Sequence, residues 1–270
     1  MVEHNWIHTC KGNSPLHKAK LHYCDLNAYT YKTRKQELFI SDLKRFKLQP
    51  VYIDTYFEIT EILSEIENQY KKRTIFISGS AEEYGKWDRE TAQKFIHNLS
   101  SRLIKENFRI VNGFGWGVGS AVINGALEEI YSKPEKYGEE QLIVKPFPQF
   151  PTGNKELKDL WQEYRINMIS LAGVAIYLFG NKKDNIDPMN IILADGLKKE
   201  FNIAQDLAVY QIPVKATGYM SGELADNLKS IDFNTDKNSQ IFNLMNQLYN
   251  ETDFEKIIST IILILKQINQ

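Results

Sequence analysis

From residue 74 onward the chain alternates between short apolar runs and longer stretches of helical period. Thr74-Ile75-Phe76-Ile77-Ser78 reads as a buried strand that ends in Gly79-Ser80. Residues 89–106 predict an amphipathic helix, with Ala92, Phe95, Ile96, Leu99, Leu103 and Ile104 on one face. Phe108-Arg109-Ile110-Val111 is a second strand, and a glycine-rich turn follows it. Ala121, Val122, Ala126, Leu127 and Ile130 then mark a helix, and Gln141-Leu142-Ile143-Val144 a third strand. A Pro-rich loop, Pro146 to Gly153, leads into a helix from Leu157 to Leu171. Val174 to Phe179 is a fourth strand, ending in Gly180-Asn181. A polar loop to Pro188 precedes a helix over about 190–207, and Ile212-Pro213-Val214 is a fifth strand. Helices fill much of 220–267.

Strands alternating with helices predict βαβ units, hence an α/β fold with a Rossmann-like parallel sheet flanked by helices. Right-handed crossovers put every strand's C-terminal end on one edge, and ligand crevices in such sheets lie outside those ends. The loops predicted there are Gly79-Ser80, Asn112 to Gly119, Pro146 to Gly153 and Gly180 to Pro188.

The first part of the chain is patterned differently. Residues 1–30 are polar, His-rich and without period. Residues 34–46 predict a helix with Leu38, Leu43 and Phe46 inward, Pro50 to Ile53 a short strand, and Ile59, Ile62, Leu63 and Ile66 a second helix. Lys71-Lys72-Arg73 marks a boundary. One helix, one strand and one helix are too little to close a core. Residues 1–72 therefore read as the end of a larger α/β domain, and 73–270 as a domain in its own right.

Composition narrows the function classes. Net charge is −1, so no global field draws the chain to nucleic acid or an anionic membrane, and any anion site must be local. His8, Cys10, His17, His22 and Cys24 cluster near the start, at spacings that fit no familiar zinc pattern. The longest apolar run, Ile257 to Leu265, is too short to span a bilayer, and no apolar leader is visible. The expectation is a cytoplasmic protein without metal or membrane partner.

The strongest chemical signal is Val111-Asn112-Gly113-Phe114-Gly115-Trp116-Gly117-Val118-Gly119. Its glycines leave the backbone free for positive φ and close ligand approach, and the helix expected to start near Gly117 offers free N–H groups to a phosphate. The spacing fits neither G-x-G-x-x-G nor a P-loop. Four alternate glycines argue for a ligand rather than a bare tight turn. Phe114 and Trp116 either stack on a base or cover the turn. Gly79 and Ser80 allow a phosphate or ribose to lie on the sheet edge. Arg165 borders an apolar helical face and is a candidate anion fork, although a snorkelling surface arginine fits the pattern better on these residues alone. Glu200 could accept ribose hydroxyls or pair with Arg165, or be an exposed helical glutamate. Lys182 and Lys183 meet either phosphate or solvent. His97 reads as structural. Nothing in the chain demands enzymatic chemistry.

Ile77-Ser78-Gly79-Ser80, Asn112-Gly113-Phe114-Gly115, Tyr164 to Ile169, Leu178-Phe179-Gly180-Asn181 and Glu200-Phe201, in that order, resemble the SLOG superfamily. The resemblance is to the subtype that accompanies sirtuin-like and TIR domains, the STALD sensors of Thoeris antiphage effectors, and covers about residues 73–230. It implies that Leu21 to Ile66 is the tail of a sirtuin-like NADase domain. It also implies that the chain by itself does not hydrolyse NAD, whereas the full-length effector does.

The ligand implied is a cyclic ADP-ribose isomer made by a partner TIR enzyme, and the assembly implied is a homo-oligomer, dimer or tetramer. By position, Arg165 would contact phosphate and Glu200 a ribose or the base. Gly79, Ser80 and the turn with Asn112, Gly113, Phe114, Gly115, Gly117 and Gly119 would hold the diphosphate and ribose. Lys182 would be a further contact. Lonely-guy-type SLOG enzymes, which hydrolyse nucleoside monophosphates, carry Pro-Gly-Gly-x-Gly-Thr-x-x-Glu. Here Phe179-Gly180-Asn181 stands at the strand end and Glu200 lies beyond a longer loop, so binding is favoured over hydrolysis.

Overall fold

In the computed structural model, residues 7–10, 34–46, 48–51, 56–151, 153–230 and 240–270 are described. The chain divides into two units, Met1–Asn68 and Gln69–Gln270. The first holds strand β1 (Ile7–Cys10), helix α1 (Arg34–Arg45), strand β2 (Leu48–Val51) and most of helix α2 (Tyr56–Lys72). β1 and β2 pair antiparallel, from Ile7 opposite Val51 to Cys10 opposite Leu48. The sequence pattern missed β1 and placed β2 two residues late. In α1, Leu43 is buried as expected, but Ile40 is its buried companion, while Leu38 and Phe46 are exposed. Ile40 and Leu43 are three apart and share a face, whereas Leu38 lies across the helix from Ile40 and Phe46 falls past the last turn. The His/Cys grouping at 8–24 lies outside the residues whose side chains are described.

The second unit is built on β3 (Thr74–Ser80), α3 (Arg89–Lys105), β4 (Arg109–Asn112), α4 (Gly119–Ser132), β5 (Leu142–Val144), α5 (Leu157–Ile169) and β6 (Val174–Phe179). A small hairpin, β7 (Asn181–Lys183) with β8 (Ile191–Leu193), follows. Then come α6 (Asp195–Asp206), β9 (Tyr210–Pro213), α7 (Tyr219–Ser230), α8 (Gln240–Asn250) and α9 (Phe254–Ile268). Five strands form one parallel sheet in the order β5-β4-β3-β6-β9, with β3 in the centre. This is the predicted Rossmann-like α/β sheet.

The two-residue period of the strands sorts their side chains into two cores. Ile75, Ile77, Ile110, Ile176 and Leu178 face the layer of α3, α4, α8 and α9. Phe76, Val111, Ala175 and Tyr177 face α5, α6 and α7. Strands buried on both faces read as continuous apolar runs, which is why the pattern located them. Side-chain caps fix two helix starts: Asp88 accepts from Thr91 N at 2.9 Å, and Asp253 from Lys256 N at 3.0 Å.

Two expectations between residues 180 and 207 need correction. The polar loop carries the β7–β8 hairpin, and the following helix begins at Asp195 rather than near 190. Ile191-Ile192-Leu193 pairs with Asn181-Lys182-Lys183, so these apolar positions belong to a strand and not to a helical face. Phe179 has φ +55, which interrupts the alternation and turns its ring to the same core as Leu178. The ring packs edge-on to Tyr84, with centroids 5.3 Å apart, and to Trp87 at 6.0 Å.

Candidate functional site

A cleft opens at the C-terminal ends of β3, β4 and β5, on the α5–α6 side. Its lining includes Phe76, Ser78 and Gly79 of β3, Asn112 to Gly115 after β4, Pro146, Phe147 and Gln149 after β5, and Glu200 of α6. The enclosed volume is about 160 Å³. Pockets that bury a whole drug-sized ligand run roughly 300–1,000 Å³, so this one encloses a sugar-sized portion and leaves the remainder over the open edge.

Glu200 is the chemical centre. It stands on the inward face of α6 between Leu197 and Phe201, both of the second core. Ser78 Oγ donates to Glu200 Oε2 at 2.6 Å. Arg165 Nε lies 3.5 Å from Glu200 Oε1, with both side chains 12% exposed. That separation makes an ion pair but not a good hydrogen bond, and the buried Nε makes none. Burial pushes the Glu200 carboxyl above the ordinary glutamate range, opposed by the Ser78 hydroxyl and then by Arg165. Tyr177 stands opposite Ser78 in the sheet, and its buried hydroxyl also makes no hydrogen bond. Burial, then the charge of Glu200, raises its pKa. A buried carboxylate beside two buried donors that make no hydrogen bond is an arrangement that folding alone penalises by about 1–3 kcal/mol per unmet group. It is suited to a ligand that brings hydroxyl donors and anionic oxygens.

The Arg165 guanidinium carbon sits 5.0 Å from the centre of the Phe147 ring. Phe147 and Tyr164 ring centroids are 5.6 Å apart. The loop that carries Phe147 is tied down by Lys145 N donating to Asn112 O at 2.9 Å and Trp161 Nε1 donating to Pro148 O at 2.6 Å.

The glycine turn has another explanation than the one its pattern suggests. A Cβ on Gly115 would overlap the Gly79 carbonyl, and one on Gly117, at φ +71, would overlap the carbonyl of Ala81. Gly119 is tight against Phe114 Cα, 2.7 Å from an added Cβ. Gly115 and Gly117 let the β4 turn lie directly on the end of β3, and Gly119 lets the start of α4 close on the turn itself. Only Gly113 makes room for a cleft side chain, since a Cβ there would meet Phe147 Cε2 at 2.9 Å. Asn112 locks the same junction: its Nδ2 donates to Ile77 O at 2.9 Å and its Oδ1 accepts from Phe114 N at 2.8 Å. α4 starts at Gly119, two residues later than expected, and has no side-chain cap.

The structure thus brings together Gly79, Asn112, Gly113, Phe114, Gly115 and Glu200, with Arg165 joined to them through Glu200 and Phe147. Four expected contacts stand elsewhere. Ser80 Oγ donates to Asn181 O at 3.1 Å. Gly117 and Gly119 are occupied by chain packing. Lys182 pairs with Asp195 outside the cleft. Phe114 lines the cleft at φ +59, and Trp116 stands largely in solvent rather than covering the turn.

Ser78, Phe147 and Gln149 are cleft residues that the residue pattern did not single out. A lone hydroxyl among Phe76, Ile77 and Ser78, on the same face as Phe76, was the available signal. Asn181 was also missed: its Oδ1 accepts from Glu82 N at 2.8 Å and Glu83 N at 3.1 Å, bridging the ends of β3 and β6. Among the described residues, no group of three His, Cys, Asp or Glu is placed to hold a metal, and no helix is long and apolar enough to cross a membrane.

A family model described as the Sir2- and TIR-associating SLOG family matches residues 58–268. The chain belongs to that family. Among similar proteins is the NAD(+) hydrolase ThsA of Bacillus cereus (strain MSX-D12), 44% identical over 238 residues, which are 87% of this chain and 48% of that protein. The NAD(+) hydrolase ThsA of Cytobacillus dafuensis is 48% identical over 198 residues, 73% of this chain and 40% of that protein. The protein of the same name from Acinetobacter baumannii (strain 532279) is 37% identical over 211 residues, 77% and 44% of the two chains. The chain spans about half the length, or somewhat less, of the curated relatives it matches. The matched span contains all the cleft residues, so the SLOG assignment and the cleft concern the same domain.

Proposed function

We propose that residues 73–270 are the ligand sensor of a Thoeris antiphage effector. The cleft binds a cyclic ADP-ribose isomer supplied by a TIR-domain enzyme, and binding activates an NADase domain of which residues 1–72 are the tail. The observation that carries this reading is the buried Glu200 carboxylate with Ser78 donating to it and, beside it, an Arg165 Nε that is ion-paired but makes no hydrogen bond. Glu200 accepts ribose hydroxyls, Arg165 faces a phosphate, and the uncapped start of α4 lends positive potential nearby. Family membership and relatives titled NAD(+) hydrolases support the effector setting. On this reading the domain works in a cytoplasmic homo-oligomer.

The competing reading is a Lonely-guy-type phosphoribohydrolase. It draws on the upward-shifted Glu200 carboxyl, since a raised carboxyl is what a general acid requires. Calorimetry with cyclic ADP-ribose isomers, ADP-ribose and AMP separates the two. The sensor reading expects one cyclic isomer to bind at micromolar concentration or tighter, without turnover. Absence of binding by every cyclic isomer removes its basis, and release of adenine from AMP installs the enzyme reading in its place.

A further inference from the structure

Arg165 belongs to the cleft only if its guanidinium is held in place, and Glu200 alone does not hold it. The pair is separated by 3.5 Å, and Nε makes no hydrogen bond. The second hold on Arg165 is the face of the Phe147 ring, 5.0 Å from the guanidinium carbon. Phe147 in turn is placed by its neighbours. Gln149 Nε2 donates to its carbonyl at 2.8 Å, and Trp161 Nε1 donates at 2.6 Å to the carbonyl of Pro148. Trp161 and Arg165 are four residues apart on α5, so they stand on one face of the helix, with the loop spanning from one to the other.

We infer that Trp161 is a positioning residue of the anion site: through the Pro148 carbonyl and the Phe147 ring it fixes the guanidinium of Arg165 against Glu200. The inference rests on the sensor reading for its ligand, but the positioning itself is a property of the unliganded chain. Trp161→Phe removes the donor and keeps the apolar ring. Trp161→His is the conservative partner, with a ring N–H that can reach the same carbonyl.

Two measurements separate this inference from the sensor reading. The first needs no ligand. In protein labelled with 15N-arginine, the Arg165 Nε–H resonance, assigned by its loss in Arg165→Lys, reports burial under Phe147 through solvent exchange and ring-current shift. Trp161→Phe should speed that exchange about fivefold or more, the factor that the loss of one hydrogen bond of about 1 kcal/mol corresponds to, and Trp161→His should restore much of the protection. An unchanged exchange rate and shift in Trp161→Phe overturns the positioning role. The second is calorimetry with the cyclic ADP-ribose isomer that binds the native chain. Trp161→Phe should raise its Kd about fivefold, but leave Kd unchanged when introduced into Arg165→Ala. Equal weakening in both backgrounds shows Trp161 to be merely structural and overturns the inference. Failure of every isomer to bind, with the exchange result as expected, defeats the sensor reading and leaves the positioning intact.

Discussion

The turn after β4 and the helix pair α5–α6 border the same cleft, but they are built on opposite terms. The turn is backbone laid on backbone. Gly115 and Gly117 bring it against the carbonyls of Gly79 and Ala81, and Asn112 fastens it with two hydrogen bonds. The helix pair is side chain set against side chain, with Arg165 and Glu200 withdrawn from water and incompletely paired. The Asn112 side chain of the turn is fully bonded, whereas the helix pair keeps a buried Arg165 Nε without a hydrogen bond. On the proposed sensor reading that difference divides the labour: the turn supplies shape, and the helices supply the chemistry that a ligand would complete.

Substitutions that add bulk to the turn should therefore damage folding first. Gly115→Ala is expected to be strongly damaging, because the new methyl meets backbone that cannot move independently of β3. A loss of about 3 kcal/mol or more should appear as a lowered urea midpoint. Gly113→Ala is the contrasting case, since its methyl meets the Phe147 ring at 2.9 Å and not main chain. It should fold with a smaller loss and weaken ligand binding. Equal stability losses for the two glycines would break the distinction.

On the helix side, Arg165→Ala should cost about 1.5–3 kcal/mol of ligand affinity, the range for a charge-assisted contact, as read by calorimetry. Glu200 offers a pH test. Its folded-state carboxyl is held above the ordinary 4.5, chiefly by burial, so the folded chain binds this proton more tightly than the unfolded chain. Stability relative to Glu200→Gln should thus be full below about pH 4.5 and decline as pH rises through the raised value, with a slope of at most about 1.4 kcal/mol per pH unit. Urea midpoints of both proteins across that interval give the answer. A native chain that gains stability relative to Glu200→Gln as pH rises would mean that pairing to Arg165 outweighs burial. The smallest effect belongs to Lys182→Ala. Its pair with Asp195 is substantially exposed, so stability should change by roughly 0–1 kcal/mol and ligand affinity not at all.

How much of this was legible in the residues follows from the same contrast. The parallel strands announced themselves because burial on both faces makes them continuous apolar runs. The β7–β8 hairpin did not, since three-residue strands carry no period and Ile191 to Leu193 merges with the apolar spacing of α6. The glycines were conspicuous, and they marked the right edge of the sheet, but their main reason is close packing between two chain segments distant in sequence. Arg165 and Glu200 looked like ordinary helix surface. What buries them is the loop carrying Phe147 and the end of β3, contacts between segments far apart that no local spacing reports. The residue pattern offered both as site candidates but favoured the surface reading, and the family resemblance tipped the choice toward the site.

The central claim is that the ligand of this domain is read by Glu200 and Arg165 and only shaped by the turn. A crystal structure of the chain with a bound cyclic ADP-ribose isomer tests it most directly. The account predicts a ribose hydroxyl donating to Glu200 and a phosphate oxygen within hydrogen-bond reach of Arg165, with the rest of the ligand crossing Gly113 and Phe114. A ligand seated beside Lys182 and Lys183, or bound with Glu200 and Arg165 untouched, would contradict it.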